Sequence, residues 1–220
     1  MPTLVTDFDG TITRHDFYRL VIDELLPPNT PNFWTRYVEG RITHFDALQL
    51  TFAAARPDQE RLLDIVDRME PDPDLADEIR LLRRAGWDVV VVSAGCRWYI
   101  ERILSRAGVL DLVEIHANDG DVVDGRLRMA WPTASPHFSP DTGIDKTRVV
   151  LEARDGDPVV AFAGNGPPDL EPALAVEPRL RWGRADLADA LDARGERYHR
   201  FDRWAEVARG VRESSRIRPG

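Results

Sequence analysis

Leu4-Val5-Thr6-Asp7-Phe8-Asp9-Gly10-Thr11 is the stretch whose reading decides the fold. A short apolar run stops abruptly at two aspartates and a glycine, as a buried strand does when it ends in a polar loop. Downstream, Phe17, Leu20, Val21 and Leu25 recur at helical spacing until Pro27-Pro28-Asn29, and Leu62, Ile65, Val66 and Met69 repeat the pattern. Residues 14 to 71 therefore read as mainly helical.

Beyond Pro71-Asp72-Pro73, Leu75, Ile79 and Leu82 mark a helix that stops near Gly86 and leads into the β-branched run Val89 to Val92. Ile100, Ile103, Leu104 and Ala107 form another helix before Gly108, and Val159 to Ala163 a further strand ending at Gly164-Asn165-Gly166. Val113 to Ala117 and Val122 to Met129 read as short strands with Asp124-Gly125 as the turn, and three prolines make 132 to 140 irregular. Leu187 and Leu191 mark one late helix and Trp204, Val207, Ala208 and Val211 another, followed by a polar tail, Ser214 to Gly220, expected to fray. Strands alternating with helices predict an α/β fold.

The 220 residues are 43% hydrophobic and 30% charged, an ordinary globular composition with length enough for a sizeable core. The net charge of −9 argues against a nucleic-acid or anionic-membrane surface, which needs clustered positive charge. No apolar run approaches the ~20 residues that span a bilayer. The single cysteine, Cys96, excludes an internal disulfide, and with a start that lacks a basic or apolar leader the expected location is cytoplasmic.

Three groups each follow a predicted strand: Asp7 with Asp9, then Ser93, then Asn165 with Asp169. In an open parallel sheet such loops meet over one crevice at the carboxyl ends of the strands. Lys146, opening the helical pattern of Val149 to Leu151, can reach the same place. A carboxylate attacking a phosphate is repelled by its anionic oxygens, so it needs Mg²⁺ and nearby donors. Asp7 is the expected nucleophile and Asp9 the acid, then base, of a two-step hydrolysis. Gly10, Thr11, Ser93, the amides of Ala94 and Gly95, and Lys146 are expected to hold the phosphate. The Asp7 carboxylate, the Asp9 carbonyl and the Asn165 amide oxygen are the expected Mg²⁺ ligands, with Asp169 orienting a bound water. Each piece alone is commonplace, since Asp-x-Asp-Gly is a frequent solvated turn and Ser-Ala-Gly a frequent helix cap. Their order along the chain carries the reading.

Asp7-Phe8-Asp9-Gly10-Thr11, Val92-Ser93-Ala94-Gly95, Lys146 and Gly164-Asn165-Gly166-Pro167-Pro168-Asp169 together resemble the four ordered motifs of the haloacid-dehalogenase superfamily of phosphatases. The resemblance implies a Rossmann-like parallel-sheet core of residues 1–13 and 72–220, Mg²⁺ as cofactor, and a small phosphorylated metabolite as substrate. It also makes residues 14–71 an inserted helical cap like that of the phosphoserine-phosphatase-like branch. Within that branch, Gly40 to Leu48 and Arg181 to Ala188 look most like the 2-hydroxy-3-keto-5-methylthiopentenyl-1-phosphate phosphatases of methionine salvage. Phosphoserine phosphatases are the alternative, but the arginine they use for the substrate carboxylate falls on Thr51 in an ungapped comparison, with Arg56 nearby. Asn165 departs from the family, which usually has a metal-binding aspartate there. A phosphate-ligand binder without turnover, its metal affinity reduced by Asn165, is therefore a further alternative. A receiver-like phosphorylation module fits poorly with the long insertion after Asp9.

The five histidines lack the short spacings of a zinc site, and Cys96 lacks a partner for thiol catalysis. All are expected to lie at the surface or to pack. Trp98 and Tyr99 are likewise expected to pack, while Trp34, Tyr37 and Phe45 are candidates to line a cap pocket.

Overall fold

The computed structural model describes residues 1–55 and 59–214. The chain runs β1 (Thr3–Thr6), α1 (Phe17–Leu25), α2 (Phe33–Val38), α3 (His44–Ala54), α4 (Gln59–Asp67), α5 (Leu75–Arg84), β2 (Asp88–Cys96), α6 (Arg97–Arg106), β3 (Glu114–Val123) and β4 (Arg126–Ala130). It continues with β5 (Phe138–Ser139), β6 (Gly143–Ile144), α7 (Lys146–Gly156), β7 (Val160–Gly164), α8 (Leu170–Leu174), β8 (Arg181–Gly183), α9 (Ala185–Ala193), β9 (His199–Arg200) and α10 (Trp204–Ser214).

Seven strands form one sheet in the order β4-β3-β2-β1-β7-β8-β9, parallel throughout except for the β3–β4 hairpin. Strand β1 lies between β2 and β7, with Val5 opposite Val90 on one side and Phe162 on the other. Alternate residues of these strands serve opposite faces. Leu4, Val89, Val91, Ala161 and Ala163 pack with Ile79, Leu82, Ile100, Leu104, Val207 and Val211 of α5, α6 and α10. Val5, Val90, Val92, Val160 and Phe162 pack with Val149, Val150, Leu187 and Leu191 of α7 and α9. Both faces are thus covered, which is why these strands read as unbroken apolar runs rather than as alternation. Each large apolar side chain so buried stabilises the fold by about 1.5–3 kcal/mol before entropy is counted.

The parallel α/β core expected from the sequence is therefore the observed one, with differences in detail. Strand β2 continues through Ser93, Ala94 and Gly95 to Cys96, with a register irregularity after Val92, and α6 starts only at Arg97. The pieces read as separate strands around 113–123 form the single ten-residue β3. The Asp124-Gly125 turn holds, both residues having positive φ (52° and 72°) as a two-residue hairpin requires. The small β5–β6 hairpin and the short β8 and β9 lie where no strand pattern was legible. The polar tail after Ser214 lies outside the described residues.

The described part of residues 14–71 contributes four helices, and the entry and exit of the segment meet: Thr13 bridges Pro71, and the Asp72 amide donates to the Ile12 carbonyl at 2.9 Å. Helix α3 starts with a capping box between Thr43 and Asp46. It leans on the core through Gln49, whose amide donates to the Met129 carbonyl at 3.0 Å, and through Phe45, stacked on Trp131.

Candidate active site

The end of β1 is pinned from behind. The Trp204 indole donates to Thr6 Oγ1 at 3.0 Å, both residues being buried, and the Asp7 amide donates to the Ala163 carbonyl at 2.8 Å. Asp7 therefore leaves the sheet at a fixed point between β2 and β7. Its Oδ1 accepts from Lys146 Nζ at 2.7 Å and its Oδ2 from Thr11 Oγ1 at 3.1 Å. Lys146, the first residue of α7, also donates to Asp169 Oδ1 at 2.6 Å. Asp169 Oδ2 accepts from the amides of Asn165 (3.0 Å) and Gly166 (2.9 Å). Both Asp169 oxygens are thus occupied, and its side chain holds the loop after β7 together with the lysine.

These three charges are all buried. Burial and the Asp169 carboxylate raise the Asp7 carboxyl above its usual range, and Lys146 opposes them. Burial alone would lower the Lys146 ammonium, but Asp169 and Asp7 outweigh it and hold it above its ordinary value. An ammonium shared between two carboxylates stays charged, which suits a group meant to face phosphate.

Asp9 turns the other way. Its Oδ1 accepts from the Phe17 amide at 3.1 Å, at the start of α1, and its Oδ2 from the Tyr99 hydroxyl at 2.8 Å and Ser93 Oγ at 3.3 Å. Burial first, and the Asp16 carboxylate second, push the Asp9 carboxyl up to about 6, with the three donors pulling against them. A carboxyl in that range can both give and take a proton near neutrality. The Ser93 hydroxyl points to Asp9 while its oxygen accepts from the Gly95 amide at 2.9 Å. That amide, expected as a phosphate donor, is therefore engaged within the chain. A Cβ at Gly95 would stand 1.8 Å from Tyr99 Oη and 2.8 Å from Asp9 Oδ2, so the glycine makes room for this contact.

Asn165 completes the floor. Its Oδ1 accepts from Thr11 Oγ1 at 3.2 Å, and its amide group hydrogen-bonds to Asp16. Gly10, at φ 67°, lets the backbone pass: a Cβ there would meet Asn165 Nδ2 at 2.3 Å. Asp7 Oδ2 and Asn165 Oδ1 converge on the Thr11 hydroxyl, an all-oxygen arrangement of the kind Mg²⁺ takes. Among the described residues no three His, Cys, Asp or Glu side chains form a group able to hold a metal. An ion here would rest on one carboxylate, the Asp9 carbonyl, an amide oxygen and water, which fits Mg²⁺ and not zinc.

These residues open into a cleft of about 720 Å³, lined on the core side by Asp7, Asp9, Gly10, Ser93, Ala94, Gly95, Lys146 and Asn165. Tyr18, Trp34, Tyr37 and His44 line it from α1 to α3, and Arg14, Arg19 and Arg184 add to the lining. The structure thus gathers the expected phosphate, nucleophile and metal residues at one place, Asp169 among the lining and Thr11 just behind it. Trp34 and Tyr37 line the cleft as expected. Phe45 does not, being buried against Trp131. Thr51 is buried, and its hydroxyl donates to the Ala47 carbonyl at 2.7 Å, so it does not face the cleft. Arg56 lies outside the described residues. Cys96 is buried, which pushes its thiol up to about 12 and removes it as a nucleophile at neutral pH.

Four contributors were not legible. Tyr99 shares a helix with the packing residues Ile100 and Ile103, and nothing in that pattern marks its hydroxyl as a partner of Asp9. Asp16 stands just before α1, with nothing in the sequence to mark its contact with Asn165, and His44 reads as an isolated histidine. Asn118, wholly buried, donates to the carbonyls of Ala94 (2.7 Å) and Thr142 (3.0 Å), tying the end of β2 to the turn before Lys146.

The family described as haloacid dehalogenase-like hydrolase matches residues 4–174. The chain is 27% identical over 165 residues to a 2-hydroxy-3-keto-5-methylthiopentenyl-1-phosphate phosphatase of Brevibacillus brevis, covering 72% of this chain and 71% of the relative. It is 22% identical over 210 residues to the protein of that name from Exiguobacterium sibiricum, covering 93% of each. Among solved structures it is similar to a substrate-bound phosphoserine phosphatase, with a TM-score of 0.67, 16% identity, and 94% of this chain and 97% of that one covered. At that identity the structural likeness speaks for the fold.

Proposed function

We propose that this chain, which belongs to the haloacid dehalogenase-like hydrolase family, is a Mg²⁺-dependent phosphomonoester phosphatase working through a phosphoryl group carried on Asp7. The observation that supports it most is the placing of Asp7 at the end of the central strand. Lys146 is bonded to one of its oxygens, Thr11 to the other, and Asp9 faces the same cleft.

In the first step an Asp7 carboxylate oxygen bonds to phosphorus as the ester P–O bond breaks, and Asp9 gives its proton to the departing alcohol oxygen. In the second, water attacks the same phosphorus, Asp9 takes the water's proton, and the Asp7 carboxylate is released with inorganic phosphate. Lys146, kept charged by Asp7 and Asp169, neutralises the phosphoryl oxygens. Ser93, Ala94, Gly95, Gly10 and Thr11 shape the phosphate end of the cleft, with Ser93 also orienting Asp9. Mg²⁺, held by the Asp7 carboxylate, the Asp9 carbonyl and the Asn165 amide oxygen, would supply further neutralisation of charge on phosphate. Asp169 would act toward the ion only through water, because its own oxygens are engaged.

In this reading residues 1–13 and 72–220 are the catalytic core and residues 14–71 a cap whose aromatic side chains choose the substrate. The substrate is a small phosphorylated metabolite. The relatives' names favour the methionine-salvage intermediate 2-hydroxy-3-keto-5-methylthiopentenyl-1-phosphate. A phosphoserine-like substrate is the second reading, supported by the similar fold and opposed by the inward-facing Thr51. No helix among the described residues is long and apolar enough to cross a membrane, and a lone buried cysteine suits a cytoplasmic enzyme.

The test is phosphate release from p-nitrophenyl phosphate with Mg²⁺ and with chelator, in the unaltered protein and in Asp7→Asn. Release that needs Mg²⁺ and vanishes in Asp7→Asn is the expected result. Phosphate binding without release in any form would instead favour the noncatalytic binder.

A further inference from the structure

We propose that Trp34, Tyr37 and His44 form a subsite for the leaving alcohol, selecting phosphate monoesters whose alcohol carries an uncharged apolar or aromatic body with one hydrogen-bonding group beside it. The inference rests on the phosphatase reading, because it takes the Lys146 end of the cleft as the phosphate end.

The three rings make one wall. Trp34 lies 5.1 Å from Tyr37 and 5.4 Å from His44, and Tyr37 and His44 are 5.2 Å apart, edge to face. Tyr18 extends the wall by stacking on Trp34 at 4.6 Å. All four line the same cleft as Asp7 and Lys146. A substrate held by its phosphate would therefore lay its remaining atoms on aromatic faces, which favour apolar and planar groups.

His44 brings the wall down to the chemistry. It is the first residue of α3, capped by Thr43, and that helix start is anchored by the Phe45 amide donating to the Asp141 carbonyl at 2.8 Å. Its ring is buried at 6% exposure, and Nδ1 has no hydrogen-bond partner among the described residues. A buried ring nitrogen without a partner is costly, and the ring borders the cleft, from which a substrate group would have to reach it. Burial, and Lys146 behind it, push the imidazole down to about 4, so at neutral pH it is an uncharged donor and acceptor. It would meet a hydroxyl or carbonyl of the leaving group and not attract a carboxylate.

The cationic side chains of the cleft are already engaged. Arg19 pairs with Asp16 (3.3 Å) and the Tyr18 hydroxyl (3.0 Å), Arg14 with Glu70 (3.3 Å), and Arg184 donates to the Asp202 carbonyl (3.1 Å). A carboxylate on the alcohol would have to compete with Asp16 for Arg19 and with Glu70 for Arg14.

The probes are benzyl phosphate, O-phosphoserine and inorganic phosphate, titrated calorimetrically with Mg²⁺ into Asp7→Asn protein, which holds esters without turnover. Benzyl phosphate is expected to bind at least about fivefold more tightly than O-phosphoserine. Adding Trp34→Ala should abolish that preference while inorganic phosphate binds as before, which also certifies the fold. Adding His44→Phe, which keeps a ring and drops its nitrogens, should erase the advantage of 2-hydroxy-2-phenylethyl phosphate over 2-phenylethyl phosphate. Equal binding of the first two probes, or a preference that survives Trp34→Ala, overturns the subsite and leaves the phosphatase reading standing. Failure of inorganic phosphate itself to bind overturns the phosphate site, and the subsite with it.

Discussion

The Asn165 carboxamide is fixed from both ends, its oxygen accepting from Thr11 and its amide group hydrogen-bonded to the Asp16 carboxylate. This relationship changes how the departure at position 165 is read. An aspartate there would place a second carboxylate against Asp16, whose own carboxyl is already raised by burial. The amide keeps an oxygen toward the proposed ion and replaces the repulsion by a hydrogen bond.

Asn165→Asp should therefore destabilise the metal-free protein, by about 1–3 kcal/mol for the lost hydrogen bond and the new like-charge contact. Asp16→Asn, added to it, should recover most of the loss. The measurement is chemical denaturation of the two single variants and the double variant in chelator, analysed as a double-mutant cycle. Additive effects would mean that positions 16 and 165 do not interact.

Tyr99→Phe keeps the ring stacked on Phe17 at 4.4 Å and removes only the hydroxyl that donates to Asp9 at 2.8 Å. Loss of a hydrogen bond to a carboxylate costs about 1.5–3 kcal/mol, so kcat/KM should fall by about one to two orders of magnitude. The loss should appear mainly in kcat, because Tyr99 orients the proton-transfer group and not the phosphate. Steady-state kinetics on p-nitrophenyl phosphate would show it, and a change confined to KM would argue that Tyr99 serves binding instead.

The sequence made the core-side half of this cleft legible for a physical reason. Asp7, Ser93 and Asn165 follow or end buried parallel strands, whose unbroken apolar runs announce themselves, and the sheet topology then brings them together. Contacts made across the chain leave no such trace. Tyr99 reaches Asp9 over 90 residues, Asn118 joins Ala94 to Thr142, and Trp204 caps Thr6 from the far end of the molecule, all within patterns indistinguishable from packing. Phe45 shows the converse error: an aromatic on an insertion helix looked available to the cleft, but the cross-chain partner Trp131 had claimed it. The short strands β8 and β9, three and two residues long, are likewise too brief for periodicity to register.

Among the described residues, Lys146 is the only positive charge bonded to two buried carboxylates. Lys146→Met would leave Asp7 and Asp169 facing one another without it, at a cost of about 3–5 kcal/mol at neutral pH. Adding Asp169→Asn should return a large part of that stability while phosphate release stays lost, since the charge that faces the phosphoryl group is gone in both variants. Urea denaturation read beside activity tests both halves. Activity surviving in Lys146→Met would remove the lysine from the proposed chemistry.

The half-buried Asp9 makes the pH dependence of the metal-free protein specific in sign. Its carboxyl, near 3.8 when unfolded, is held at about 6 in the folded chain by burial and by Asp16. The folded state thus binds this proton more tightly than the unfolded state. Stability is therefore highest below about pH 4, falls as pH rises toward about 6, and stays lower above that as far as this group is concerned. Asp7 is also raised, so the two must be separated by substitution. Asp9→Asn removes the ionisation and keeps one oxygen for the Phe17 amide, while its NH2 faces Tyr99 and Ser93, whose hydroxyl oxygens can turn to accept from it. In chelator at pH 7 it should be more stable than the unaltered protein by about 1–2 kcal/mol, a figure reduced for partial exposure, and no more stable at pH 4. Melting curves of both proteins from pH 4 to pH 8 would show the gap opening between about 4 and 6. A gap of constant size across that range would mean that Asp9 titrates at an ordinary value, and the proton it is proposed to deliver would then have to come from another group.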